Sequence, residues 1–340
     1  MLVESENSEI MLRFFRSYNS LVIITILLVG IASWLHVPGG SGISLPGKYG
    51  TFMFRALDGW FADKQELYFW FGLILSLSTA LLMVFVNARL QLIDKVSYLP
   101  ALCYVLFISG VGEIHQFNPA VIATILLVTG FILLSKSFEN ERLSYSFFTV
   151  SALISFATFF YQYMYMYMLV VWLVIALLRP GYWREWIFSI LGFLLPLFFA
   201  FSWFFLVNDD YTRIGVFFDE IFTLQRMTPS LSTTTIIFFI SCILLIIIIF
   251  GYMLRYIGSN KVILRNRYYV LILITVVTAG MVFVVPDTLP HAWYLLAFPM
   301  SFFMSNYLAT TKSIRFGTIV LLLLFVGVTV VQAILFLSTE

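Results

Sequence analysis

"YSFFTVSALISFATFFYQYMYMYMLVVWLVIALLR", residues 145–179, decides the topology of this chain. The stretch is apolar along its whole length and could form one long helix or two short ones. One helix would reverse the side on which every later loop falls. Tyr161, Tyr163, Tyr165 and Tyr167 step by two. At about 100° per residue they fall on opposite faces of a helix and make no single packing stripe. The spacing therefore predicts a break, with spans over 145–161 and 163–179 and the tyrosines at headgroup level beside the outer interface.

The rest of the chain is of the same character. Of its 340 residues, 61% are hydrophobic and 11% charged, and the mean hydropathy is +1.00. A soluble domain carries roughly 25% charged residues, so the composition leaves a multi-spanning membrane protein. A span takes about 20 apolar residues, fewer inside a bundle. Besides the two above, the sequence predicts spans over 20–37, 67–87, 97–112, 118–135, 185–207, 235–254, 268–285, 292–309 and 316–337, eleven in all. The fold class is all-α polytopic: a 1–19 cytoplasmic segment, then one transmembrane domain over 20–337. The start, "MLVESENSEIMLRFFRSYN", lacks a basic n-region and a small-residue cleavage site, so the first apolar run reads as a retained span.

Sidedness follows from Lys and Arg. With the N-terminus in the cytoplasm, the inner segments hold Arg13, Arg16, Arg89, Lys95, Lys136, Arg142, Arg179, Arg184, Arg255, Lys261, Arg265, Arg267, Lys312 and Arg315. The outer segments hold only Lys48, Arg55, Lys64, Arg213 and Arg226. In a bacterium this is the inner-membrane orientation.

The outer face then has two long loops, 38–66 and 208–234, each with an amphipathic segment. Met53, Phe54, Leu57, Trp60 and Phe61 make one apolar stripe, with Arg55, Asp58, Asp63 and Glu66 opposite. Ile214, Phe217, Phe218, Ile221 and Phe222 make the other, with Asp209 and Asp210 placed to cap its start. Such helices lie in the interface plane and would roof the outer end of the bundle. Two short outer loops carry further polar residues. "SGVGEIHQFNPA" (109–120) places Glu113 and His115 at a turn, with Asn118 as helix cap and Pro119 in the first turn. "PDTLPHAWY" (286–294) places Asp287 and His291 between a helix stop at Pro286 and a restart at Pro290, with Pro299 expected to kink the span.

Several chemistries are excluded or disfavoured. Net charge is +2, which gives no case for nucleic acid. There is no Gly-rich phosphate loop and no nucleophile elbow. His36, His115 and His291 are the only histidines, too few for a four-imidazole iron centre. Cys103 and Cys242 each sit in an apolar segment, with no disulfide framework or zinc spacing. Span centres are nearly free of charge, against ion-coupled transport.

"NARLQLIDKVSYLPALCYVLFIS" (87–109), "NPAVIATILLVTGFILLSK" (118–136) and "LRPGYWREWIFSILGFLLPLFF" (178–199) resemble an uncharacterised family of multi-spanning inner-membrane proteins of Bacteroidetes. The resemblance covers most of the first 210 residues. Members are sometimes labelled β-carotene monooxygenases, a label the histidine count opposes here. More loosely, the layout resembles the GT-C superfamily of polyprenyl-phosphate-dependent glycosyltransferases. "TLPHAWYLLAFPMSFFMSNYLAT" (288–310) is similar to the late "LPHYLLP" segment of such families, with Ala292 and Trp293 in place of a single Tyr. The chain departs from their adjacent acids after the first span: Asp58 and Asp63 stand apart, and Asp209-Asp210 falls in a later loop.

The GT-C resemblance implies sugar transfer at the periplasmic face from a lipid-linked donor entering sideways between spans. It makes Asp58 or Asp63 the general base, with Glu113 and His115 facing the same cavity. Lys48 and Arg55 would neutralise the lipid phosphate, and Asp287 and His291 would bind donor or acceptor. Some such enzymes bind a divalent metal, for which these carboxylates could supply oxygen ligands, and no cofactor is required by the sequence. The competing expectations are a non-catalytic membrane subunit that docks an envelope-assembly or secretion protein, and a flippase or polymerase for lipid-linked glycans. An enzyme would gather Asp58 or Asp63 with Glu113 or His115 in one cavity. A subunit would turn those acids to water and offer an apolar groove.

Overall fold

The computed structural model describes residues 14–16, 19–35, 50–61, 64–93, 97–139, 145–178, 181, 183–208, 215–217, 219, 233–259, 261–311 and 314–337. The described residues form α1 (Ser20–Leu35), α2 (Phe52–Phe61), α3 (Gln65–Leu90), α4 (Leu99–Ser109), α5 (Pro119–Lys136), α6 (Tyr145–Thr158), α7 (Met168–Leu178), α8 (Trp183–Asn208), α9 (Thr233–Ser259), α10 (Val262–Val284), α11 (Leu289–Thr310) and α12 (Ile314–Leu337). Short 3-10 turns span Gly112–Ile114, Gln162–Tyr167 and Pro286–Thr288. Each of the eleven apolar segments read from the sequence contains a helix.

Six of these are long and apolar enough to cross a membrane: Glu66–Leu90, Pro119–Lys136, Trp183–Leu206, Thr233–Gly258, Val262–Val284 and Arg315–Ile334. Shorter apolar helices fill the spaces between them. The chain is a multi-pass membrane protein. On α8 the lipid-facing pattern is plain. Trp183 is 66% exposed, Trp203 66% and Phe198 66%, and little of this helix is buried. At 1.5 Å per residue Trp183 and Trp203 lie about 30 Å apart, the thickness of a bilayer's hydrocarbon core, as interfacial tryptophans should.

The centre is built from α4 and α11. Every residue of α4 is buried, as is nearly all of α11. Both helices are apolar on all faces, which suits a helix surrounded by others. α11 packs against α4, α5, α9 and α10, while α1, α3 and α12 close around α4. Pro299 lies within α11, and the helix continues through it from Leu289 to Thr310.

The break in the opening stretch is present, and its tyrosines face protein. α6 ends at Thr158 and α7 starts at Met168, with the 3-10 turn between. Tyr161, Tyr163 and Tyr167 are completely buried by protein. The turn packs against α6, α7 and α10, so it meets protein on several sides. The Tyr167 hydroxyl reaches Thr278 Oγ1 on α10 at 2.6 Å.

The two ends of the bundle differ in chemistry. At one, which we call the arginine end, cationic side chains cap helix C-termini. Arg16 donates to Leu308 O at the end of α11, from Nε at 2.8 Å. Arg267 donates to Leu90 O at the end of α3 (2.6 Å) and to Glu139, while Tyr268 donates to Leu92 O (2.7 Å). The other, the histidine end, is described below.

α6 and α8 pack closely at Gly192. A Cβ there would lie 2.2 Å from the Phe148 carbonyl oxygen, a backbone atom that cannot step aside. Gly192→Ala should therefore force the helices apart and destabilise by about 1–3 kcal/mol, the usual cost of overpacking. Gly280→Ala, with nothing within 4 Å, is the control and should be neutral or slightly stabilising. Thermal unfolding of both variants in detergent measures the difference.

Candidate functional site

α4 has 11 residues. It is therefore about 16 Å long, half a bilayer core, and its C-terminus ends inside the protein. The last carbonyls of a helix lack intrahelical partners, and a buried one left unmet costs about 1–3 kcal/mol. Here side chains meet them, two of the three from far along the chain. Trp293 Nε1 of α11 donates to Phe107 O at 2.8 Å. His115 Nε2 approaches Ile108 O at 3.3 Å. Gln332 Nε2 of α12 donates to Ser109 O at 2.6 Å. Ser33 of α1 joins Ser109 hydroxyl to hydroxyl at 2.7 Å.

The loop leaving α4 is fixed in the same way. Asn118 caps α5, its Oδ1 accepting from Ala120 N at 2.9 Å, and Pro119 follows in the first turn, as the sequence predicts. Tyr294 OH donates to Ile114 O at 2.9 Å. His291 Nδ1 lies 3.0 Å from the same Asn118 Oδ1. Because the cap makes that atom an acceptor, His291 must carry its proton on Nδ1. His115 faces a carbonyl through Nε2 and so carries its proton there. Its ring stacks on Trp34 at 4.9 Å, and its Nδ1 has no hydrogen-bond partner. Burial pushes the His115 imidazole down to about 4, against a smaller upward pull from the Ile108 carbonyl.

α2 lies across this end. Thr51 N and Met53 N donate to Phe160 O and Phe159 O, both at 3.2 Å, and Thr51 Oγ1 donates to Thr158 O at 2.8 Å. Phe54 is fully buried against Phe117, ring centroids 5.0 Å apart. Phe217 reaches Phe52 and Phe159 from the later loop. The apolar stripe thus docks as the sequence predicts, although Trp60 at its far end is 81% exposed.

The sequence-predicted site residues divide into three groups. His115 and His291 are buried in the capped cluster. Asp58 is half-buried on α2, within electrostatic reach of the Tyr68 hydroxyl of α3, and Arg55 is exposed with its Nε on Gly50 O at 3.0 Å. Lys48 and Asp63 lie outside the described residues. Glu113 and Asp287 have their backbones on the 3-10 turns Gly112–Ile114 and Pro286–Thr288, and their side chains are likewise outside the description. Among the described residues no three His, Cys, Asp or Glu side chains gather that could hold a metal ion. Trp293 and Gln332 cap α4, Ser33 holds the Ser109 hydroxyl, and sequence reasoning gave none of the three such a role. The available signal was the length of α4, too short to reach water at both ends.

Compared with protein-family models, curated proteins and solved structures, the chain has no match.

The neutral, buried His115 links stability to pH. Its folded value of about 4 lies below the unfolded value of about 6.5, so between them only the unfolded chain takes the proton. Stability should fall as pH drops from about 6.5 to 4, by about 3 kcal/mol in full. His115→Phe keeps a ring against Trp34 without titrating, and its thermal unfolding should vary less between pH 7.5 and 4.5. An unchanged pH slope in the variant would remove His115 as the cause.

Proposed function

We propose that this chain is an eleven-pass protein of a bacterial inner membrane, N-terminus cytoplasmic, that works as a non-catalytic subunit in envelope assembly or secretion. The observation that carries this reading is the use made of the histidine end. His115 is committed to the α4 carbonyls and the Trp34 ring, and His291 to the Asn118 cap. Support for docking comes from an apolar groove of about 440 Å³ between α9 and α12, lined by residues that include Ile237, Phe238, Ser241, Leu323, Gly327 and Ile334. Small residues such as Ser241 and Gly327 let a partner's membrane helix approach closely.

Orientation is supported by where the exposed cations fall. Arg89, Arg184, Arg255, Lys261 and Arg315 belong to the end opposite the histidines, against Arg55 and Lys64 among the exposed cations of the histidine end. That asymmetry is the positive-inside pattern. Cys103 and Cys242 are both buried and give little background for thiol labelling. In intact cells, Lys64→Cys should react with a membrane-impermeant maleimide and Lys261→Cys should react only after lysis. The reverse pattern would invert the orientation.

A second reading, a GT-C-like glycosyltransferase using a polyprenyl-phosphate-linked sugar, is favoured by α2. This helix lies over the loop end of the bundle and holds Asp58 and Arg55 one turn apart. Asp58 would take the proton of the acceptor hydroxyl, and Arg55 would neutralise the lipid phosphate.

One pair of experiments separates the two. A photo-crosslinking residue at Ile237 or Ile334, in native membranes, should give a discrete protein adduct that the same residue at lipid-facing Phe198 does not. Adducts with lipid alone at both places would remove the docking reading. Asp58→Asn should leave the biological activity of the subunit intact, whereas a transferase would lose about 100-fold or more, as for loss of a general base.

A further inference from the structure

α10 begins with cations where a helix prefers acids. The α9–α10 hairpin, residues 255–267, carries Arg255, Lys261, Arg265 and Arg267, and no Asp or Glu occurs in the sequence between Glu220 and Asp287. Lys261 stands at the N-cap without a side-chain cap bond, and the first turn holds no acid. A helix start already bears about half a positive charge and open N–H groups, so cations there are unfavourable and an anion is favoured. Arg267 finds its own balance in Glu139 and Leu90 O. Arg265 does not: it is partly buried, and its Nε is enclosed with no hydrogen-bond partner.

The place of Arg265 says what would meet that nitrogen. Its Cα lies about 6 Å along α10, and helical side chains lean back toward the N-terminus, over Lys261 four residues earlier on the same face. Tyr269, one turn deeper on that face, is 39% exposed, and Val276 and Phe283 continue it at 58% and 88%. An apolar face this open, on a helix long enough to cross the membrane, looks into lipid. Arg265 therefore stands at the headgroup end of a lipid-facing stripe, with a tyrosine below it as interfacial tyrosines lie. A guanidinium fork fits two oxygens of a phosphate, and an unmet buried donor costs about 1–3 kcal/mol or more when charged. A headgroup with its own ammonium would bring one more cation to an end that already has four, so charge complementarity selects an anionic head.

We propose that the start of α10 binds an anionic glycerophospholipid from the leaflet at the arginine end. The phosphate accepts from the Arg265 guanidinium, with Lys261 and the open N–H groups of the first turn beside it, and an acyl chain lies along Tyr269, Val276 and Phe283. The site does not depend on partner docking at the α9–α12 face or on which side of the membrane the arginine end occupies.

The test is native mass spectrometry of the full chain in detergent, titrated with phosphatidylglycerol or phosphatidylcholine. Phosphatidylglycerol should bind about tenfold more tightly, as one charge-assisted hydrogen bond would give. Arg265→Gln should erase that preference and leave phosphatidylcholine unchanged, while Arg265→Lys, which keeps the charge and loses the fork, should fall between. Arg184→Gln, an exposed arginine of α8 at the same end, should change either lipid less than about twofold. Should Arg265→Gln fail to fold, Lys261→Gln at its exposed position should lower phosphatidylglycerol binding about fivefold, as loss of one surface cation would. Equal binding of the two lipids by the unaltered protein would overturn the proposal. Equal losses in Arg184→Gln and in the α10 variants would assign the preference to the diffuse charge of this end, and displacement of the lipid by inorganic phosphate would assign the site to a soluble phosphate compound; either would also overturn it.

Discussion

The structure turns on the carbonyl groups at the end of one short helix. α4 stops inside the bundle, where no water reaches its last carbonyls, and hydrocarbon offers no replacement. Trp293, His115 and Gln332, with Ser33 beside them, supply what the helix lacks, and together they bring α1, α11, α12 and the 110–118 loop to one point. The same solution recurs at the opposite end, where Arg16 and Arg267 serve α11 and α3. Interior helix ends, more than apolar packing, give this oily bundle its specificity. Packing between apolar faces is worth little in lipid, since lipid tails offer the same contacts, whereas an unmet carbonyl has a definite cost.

That economy bears on how polar residues in such a chain are to be read. Histidine at a membrane edge is a reasonable candidate for chemistry, and both His115 and His291 stand at such edges. Each is instead occupied in holding backbone or cap, with its tautomer set by the neighbour it serves. Asp58 and Arg55 lie on α2, which is tied to the turn after α6 by Thr51 and Met53.

Much of the helical layout was legible, because apolar runs bounded by Pro, Gly and charge are local signals. The Asn118 cap with Pro119 was legible for the same reason, and so was the apolar stripe of α2. The break near Tyr161 was also legible, whereas the burial of its tyrosines among other helices was not. Spacing by two says that residues point in different directions, and it does not say whether lipid or protein lies there. The capping side chains were hidden for a different reason. Gln332 and Ser109 are 223 positions apart, and Trp293 and Phe107 are 186 apart. No periodicity connects such pairs. Only the length of α4 hinted that partners were needed.

The Gln332–Ser109 bond has a further consequence, which concerns birth and not function. Chains emerge at roughly 5–20 residues per second, so α4 waits on the order of 10–45 seconds after its own synthesis before Gln332 exists. During that interval the end of α4 must keep contact with water or with the insertion machinery, or bear its open carbonyls in lipid. α12 therefore acts as a latch on helices made long before it, and a ribosome stalled short of it would leave the Ser109 carbonyl without the amide that meets it.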